Sequence, residues 1–224
     1  MESILFHGSD KVVEYPTLQG GRIHNDFGQG FYCTPDINLA REWACSEHSS
    51  AFVNHYSFEP SIELRICNLL GPEYHVLNWL AILMNHRVFS TRHPLMKEIK
   101  AYILEEFLPD LSGFDIVRGY RADDSYFDIA ESFLAGSLSL EWLQRALKLG
   151  NLGEQVFLQS QKAFDALVFT TAEPVERELY YPRRIQRDQN ARKAFKQIKD
   201  SGADGVLAVD LLRNQWKNND VRLR

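Results

Sequence analysis

Two apolar runs near the start of the chain, each meeting glycine-bearing polar sequence, constrain its fold more than any other feature. "SILFH" at residues 3–7 runs into Gly8, Ser9 and Asp10, and "GFYCT" at 30–34 follows "NDFGQ". Short runs of aliphatic and aromatic residues bounded by Gly or Pro read as strands. His7 then sits at the end of one strand and Tyr32 within the other, beside glycines that let other atoms approach the backbone. The two stretches are expected to line one pocket.

The rest of the chain predicts alternating helices and strands. Thr34-Pro35-Asp36 opens a helix, with Thr34 as cap, Pro35 in the first turn and Asp36 complementing the dipole. Leu39, Ala40, Trp43 and Ala44 follow at helical spacing as one buried stripe. "AFVNHYSFE" (51–59) and "IELRICNLL" (62–70) predict paired strands across a turn at Pro60-Ser61. Helical patterning runs from Glu73 to about Leu108, with Pro94 expected to stop a helix. "GFDIVRGY", "EQVFLQ" and "ALVFTT" read as strands, and 124–136 and 139–149 as short amphipathic helices. "RDQNARKAFKQIKDSG" reads as a basic amphipathic helix ending at Gly202. No repeat or linker interrupts the pattern, so one α+β domain over 1–224 is expected.

Composition narrows the class. With 224 residues, 45% hydrophobic and 12% aromatic, the chain can build a sizeable core,. Cys33, Cys45 and Cys67 are odd in number and lack CxxC spacing, which argues for reduced thiols in a cytosol and against a disulfide frame or structural zinc. No charged lead precedes a long apolar run, so no signal peptide is expected. The protein is expected to be cytoplasmic, or delivered into a target cell without such a signal. The most apolar stretch, "YHVLNWLAILM", is too short and interrupted to span a bilayer. From Glu176 to the end there are 12 Lys/Arg against 7 Asp/Glu, and before it 13 against 23. The basic helical extension at 176–224 is therefore expected to pack on an acidic body, or else to recruit an acidic partner.

The motif search is mostly negative. GxxxxGK[ST], GxSxG and HExxH are missing, and the histidines never take metal-ligand spacing, so no metal is expected. His7, Tyr32, the Asp26–Gly30 loop and the Glu154-Gln155 strand remain, which by themselves define only a cleft at strand ends.

Four segments in order, "FHGS", "DFGQGFYCTPD…A..WA", "FDIVRGYRADDSYF" and "EQVFLQSQKAFDALVF", resemble an uncharacterised bacterial family of the ADP-ribosyl superfamily, over residues from about 4 to 170. The resemblance implies an ADP-ribosyltransferase-like split antiparallel β-sandwich with surrounding helices, and NAD as co-substrate in the cleft. His7 and Tyr32 match the first two members of the His-Tyr-Glu type. The arginine of the Arg-Ser-Glu type is missing. The implied activity is transfer of ADP-ribose from NAD to a macromolecule, a protein rather than a nucleic acid, as in a bacterial toxin or effector. A plain NAD glycohydrolase and a catalytically silent binding module are the alternatives.

In that setting His7 would bond a ribose hydroxyl and Tyr32 would stack on nicotinamide. Gly8, Ser9, Asp26, Phe27, Gly28 and Gly30 would wall the cofactor. Nicotinamide leaves neutral, so the developing oxocarbenium ion is what needs stabilising. Adjacent strand residues face opposite ways, so only one of Glu154 and Gln155 can serve. Strand alternation favours Glu154 and the resemblance favours Gln155. Asp124 is a candidate base, although the place of Asp123 and Asp124 between a strand and a short helix favours helix capping.

Overall fold

In the computed structural model the chain begins with β1 (Ser3–Ser9), β2 (Phe31–Cys33), α1 (Ile37–Ala44), β3 (Phe52–Phe58) and β4 (Ile66–Asn68). There follow α2 (Val76–His86), α3 (Pro94–Phe107), β5 (Ile116–Tyr120), α4 (Asp124–Leu134) and α5 (Leu140–Ala146). Then come β6 (Glu154–Leu158), α6 (Gln161–Asp165), β7 (Leu167–Pro174), α7 (Arg177–Asp200) and α8 (Ala208–Arg213). The structure describes residues 3–47, 51–59, 63–91, 93–122, 124–146, 153–200 and 204–223, apart from the side chains at 124, 125, 199 and 200.

This is a mixed α+β architecture with two sheets. One has the order β1-β3-β7 and the other β2-β6-β5-β4. All pairings are antiparallel except β4 with β5, which is parallel. The second sheet is therefore mixed, against the antiparallel expectation. The expected hairpin across Pro60-Ser61 is also corrected: β3 and β4 lie in different sheets, and β3 fills the centre of its own. Strand alternation identified both strands but carried no information on their partners.

The chain divides into two compact units. The first comprises Met1–Leu70, Leu111–Arg121 and Gly153–Arg187, and holds both sheets. Leu5, Tyr56 and Phe58 from one sheet pack with Phe31, Cys33, Ile116, Val156 and Leu158 from the other in a single apolar cluster. The second unit comprises Gly71–Asp110, Ala122–Leu152 and Asp188–Arg224, and is helical. Its core includes Leu77, Leu80, Ile82, Leu83, Ile103 and Phe133. The buried Asn78 carboxamide donates to the Phe107 carbonyl at 2.8 Å and to Asn218 at 2.6 Å, so its polarity is compensated,.

Helix ends show where sequence signals were misassigned. The cap of α1 is Asp36, whose Oδ1 accepts from the Asn38 and Leu39 backbone N–H groups at 2.8 and 3.2 Å. Thr34 instead lies fully buried, with its hydroxyl accepting from the Asp36 N–H. Pro94 opens α3 rather than stopping a helix, as its missing N–H allows,. Helix α7 begins ten residues before the basic segment and carries Pro182 inside it. The expected end at Gly202 falls outside the described residues. Residues 176–224 belong to both units, with the division after Arg187.

Cys33, Cys45 and Cys67 are buried and lie outside any disulfide. Among the described residues no helix is long and apolar enough to cross a membrane, and no group of three or more His, Cys, Asp or Glu could hold a metal ion.

Candidate functional site at the junction of the sheets

Within the first unit, β1 and β2 touch through one isolated antiparallel bridge, Phe6 with Thr34. The Phe6 N–H donates to the Thr34 carbonyl at 2.8 Å and the Thr34 N–H to the Phe6 carbonyl at 2.9 Å. His7 follows at once. Its Nδ1 lies 2.7 Å from the Tyr32 carbonyl, and its ring sits against Phe31 with centroids 4.3 Å apart. A carbonyl only accepts, so Nδ1 carries the proton and Nε2 keeps its lone pair. Burial holds the imidazole pKa below its ordinary value of 6.5, against opposing contributions from the Tyr32 carbonyl and Asp10. The ring is thus a neutral acceptor at neutral pH.

Strand register decides which side chains share a face. Tyr32 pairs with Phe157 and Gly119 with Gln155, so Tyr32, Phe157, Gln155 and Gly119 occupy one face of their sheet,. Glu154 lies on the other face with Val156 and Leu158, toward the core between the sheets. His7, two residues from Leu5, also faces that core. His7 and Tyr32 therefore meet through the Tyr32 backbone, with their rings on opposite sides.

The loop before β2 covers the Tyr32 face. The Tyr32 hydroxyl donates to the Gly28 carbonyl at 2.6 Å and accepts from the Phe27 N–H at 3.1 Å. The Phe27 ring is buried, nearly parallel to that of Tyr32 at 6.5 Å, and occupies the space where Gly119 lacks a Cβ. Gly28 has a φ of 91°, which suits glycine,. Asp26 is 5% and Gln155 3% exposed; the Gln155 amide donates to Asp26 Oδ2 at 3.1 Å and to the Tyr120 carbonyl at 3.3 Å. Glu154 accepts from the Arg118 guanidinium. Ser9 is half-buried and accepts from the Lys11 N–H in a turn. The Asp123 residue and the Asp124 side chain lie outside the described residues.

Gly8 packs against helix α1. A Cβ there would overlap the Ala40 carbonyl and meet the Ala44 nitrogen, so the missing side chain makes room for α1. Helix α1 is gripped in turn by the first part of α7. Arg177 donates to the Ser46 carbonyl at 2.9 Å, Arg184 to that of Cys45, and Arg187 to both Glu42 oxygens at 2.8 Å. These cations satisfy the C-terminal end of α1 and its dipole. Farther along α7, Arg192 pairs with Asp128 and Asp188 at 2.7 and 2.9 Å. Arg192 and Lys196 border a cavity of about 520 Å³ in the helical unit.

A family model described as a protein of unknown function (DUF3990) matches residues 3–169. The chain belongs to this family. No curated protein and no solved structure matches the chain. The matched part of this DUF3990 chain contains His7, Tyr32, the Asp26–Gly30 loop and Gln155.

Three features of the DUF3990 chain escaped sequence reasoning. Asn54 is fully buried, donates to the His7 and Lys11 carbonyls at 3.3 and 3.2 Å, and accepts from the Val13 N–H at 2.8 Å. Its one signal was a carboxamide at a core-facing position of a strand. Arg121 lies over the Trp43 ring at 4.4 Å, although the spacing of Trp43 indicated only a buried stripe. The contact between Asp26 and Gln155 joins residues 129 apart in sequence and left no local signal.

Proposed function

We propose that this protein is an NAD-dependent ADP-ribosyltransferase. It breaks the nicotinamide–ribose bond and passes ADP-ribose to a macromolecular acceptor, a protein in preference to a nucleic acid. The observation that carries this reading is the junction of β1 and β2, where two sheets part after the Phe6–Thr34 bridge and the His7 ring is held on the Tyr32 carbonyl. A neutral imidazole fixed in one tautomer is suited to accept a hydrogen bond from a ribose hydroxyl. The first, second and fourth of the sequence segments that resemble the ADP-ribosyl superfamily lie wholly in the same unit, and the third lies in it as far as Arg121.

The chemistry this chain would supply is binding and electrostatic. The bond to C1′ breaks with its electron pair going to nicotinamide, which leaves neutral. His7 would hold the ribose from the intersheet side, while Tyr32, its ring on the other side of β2 beneath the Asp26–Gly30 loop, would act through the backbone carbonyl that fixes the His7 ring. A catalytically silent nucleotide-binding module is the second reading, favoured by one observation: the Glu154 carboxylate is committed to Arg118.

Nicotinamide release from NAD separates the two readings. Transfer of labelled ADP-ribose in a cell lysate separates a transferase from a glycohydrolase. His7→Ala should reduce release by about 10-fold or more while the protein stays folded, the loss of one to two hydrogen bonds to substrate. Wild-type protein that neither binds nor cleaves NAD would exclude the enzyme.

A further inference from the structure

We propose that Arg118 binds the diphosphate of the dinucleotide whose ribose His7 holds. This rests on the transferase reading above and adds a second anchor in the same cleft. Strand register places the two residues in one transverse row. The antiparallel Phe6–Thr34 bridge sets His7 opposite Cys33, Cys33 pairs with Val156, and Val156 pairs with Arg118. Residues directly opposite one another share a face, and Cys33 and Val156 belong to the cluster between the sheets. His7 and Arg118 therefore both stand on the intersheet face. Three strand spacings separate their backbones, or about 14 Å.

The guanidinium is held in a way that suits an anion. Its Nε donates to Glu154 Oε1, and Glu154 lies on β6, the strand between β5 and β2. That bond draws the group back toward His7. Among the described residues the two terminal amino groups of Arg118 make no hydrogen bond, and the side chain is half-exposed. One edge of a planar fork is thus left open, and such a fork matches two phosphate oxygens. Cys33 and Val156, between the two anchors, offer an anion no competing bond. Among the described residues Arg118 is also the only Lys or Arg in the strands of either sheet. In a nicotinamide dinucleotide the diphosphate directly follows the nicotinamide ribose. A ribose on His7 and a diphosphate on Arg118 are then two ends of one short segment of ligand.

The test measures ADP-ribose binding to the full-length protein by calorimetry, with nicotinamide riboside, which lacks phosphate, as the control ligand. Arg118→Met should weaken ADP-ribose binding by about 10–100-fold and leave the riboside within about 2-fold of its wild-type affinity. Unchanged ADP-ribose affinity, or an equal loss for both ligands, would overturn the assignment. R118M also uncovers the Glu154 carboxylate, so the double variant R118M/E154Q removes both charges. It should bind ADP-ribose as weakly as R118M does. Recovery to wild-type affinity would trace the loss to repulsion by Glu154 and overturn the assignment. If R118M loses its thermal transition, the double variant, which has no unpaired charge, decides against wild type in the same way. Wild-type protein that binds NAD and ADP-ribose yet releases no nicotinamide would instead remove the transferase reading and leave this comparison standing, so the two failures are distinct.

Discussion

The His7 imidazole is tied through Nδ1 to the backbone carbonyl of Tyr32 at 2.7 Å, which fixes its tautomer and joins the ends of two strands from different sheets. Because burial lowers its pKa, the folded protein resists protonation there more than the unfolded chain does,. Stability from this group is complete above 6.5 and is lost as pH falls through that value toward the lower folded pKa,. Wild-type protein should therefore lose more of its melting temperature between about pH 7.5 and pH 5.5 than His7→Gln does. Parallel pH profiles for the two would show that His7 is not buried as a neutral ring.

Gly8 separates steric demand from backbone freedom. A Cβ there meets helix backbone, the Ala40 carbonyl and the Ala44 nitrogen, which cannot swing aside as a side chain would. Gly8→Ala should cost about 3 kcal/mol, the upper end for overpacking. Gly136 has a φ of +71° and nothing near its missing Cβ, so Gly136→Ala should cost only about 1–2 kcal/mol for conformation,. Equal costs in denaturant titrations would mean that α1 can yield.

The contrast between these glycines marks what was readable from sequence. The periodicity of "SILFH", "GFYCT", "GFDIVRGY" and "EQVFL" located β1, β2, β5 and β6, because a strand with one buried face leaves its mark locally. Partner choice leaves no such mark, which is why "AFVNHYSFE" and "IELRICNLL" were expected to pair and do not. The glycines at 8, 28 and 30 were recognisable as positions of close approach, but the approaching atoms, helix α1 at Gly8 and the Phe157 ring at Gly30, come from distant sequence. The same limit applied to charge. Composition showed a basic end beside an acidic body, while the pairing of Arg187 with Glu42 needed the fold.

That pair gives a third test. Glu42 is 6% exposed at its side chain and accepts two hydrogen bonds from Arg187. Arg187→Met would leave a buried carboxylate without its cation, at a cost of about 3–5 kcal/mol. The double variant Arg187→Met/Glu42→Met removes both charges and should regain most of this loss. Additive losses in the double-mutant cycle would mean that the two side chains do not act as a pair.

Glu154 provides the last test, because its place in the sheet separates two roles that its sequence position allows. Its neighbour Gln155 shares the Tyr32 face, while Glu154 faces the intersheet core and accepts from Arg118, whose side chain is 44% exposed. A half-exposed ion pair of this kind is worth about 0–1 kcal/mol. Glu154→Gln should therefore leave nicotinamide release within about 3-fold of wild type and lower stability by no more than that amount. Gln155→Ala, which removes the amide from the buried Asp26 carboxylate, should cost more stability than Glu154→Gln does,. If Glu154→Gln proved the slower variant, the active carboxylate would be Glu154 itself, on the intersheet face that it shares with His7.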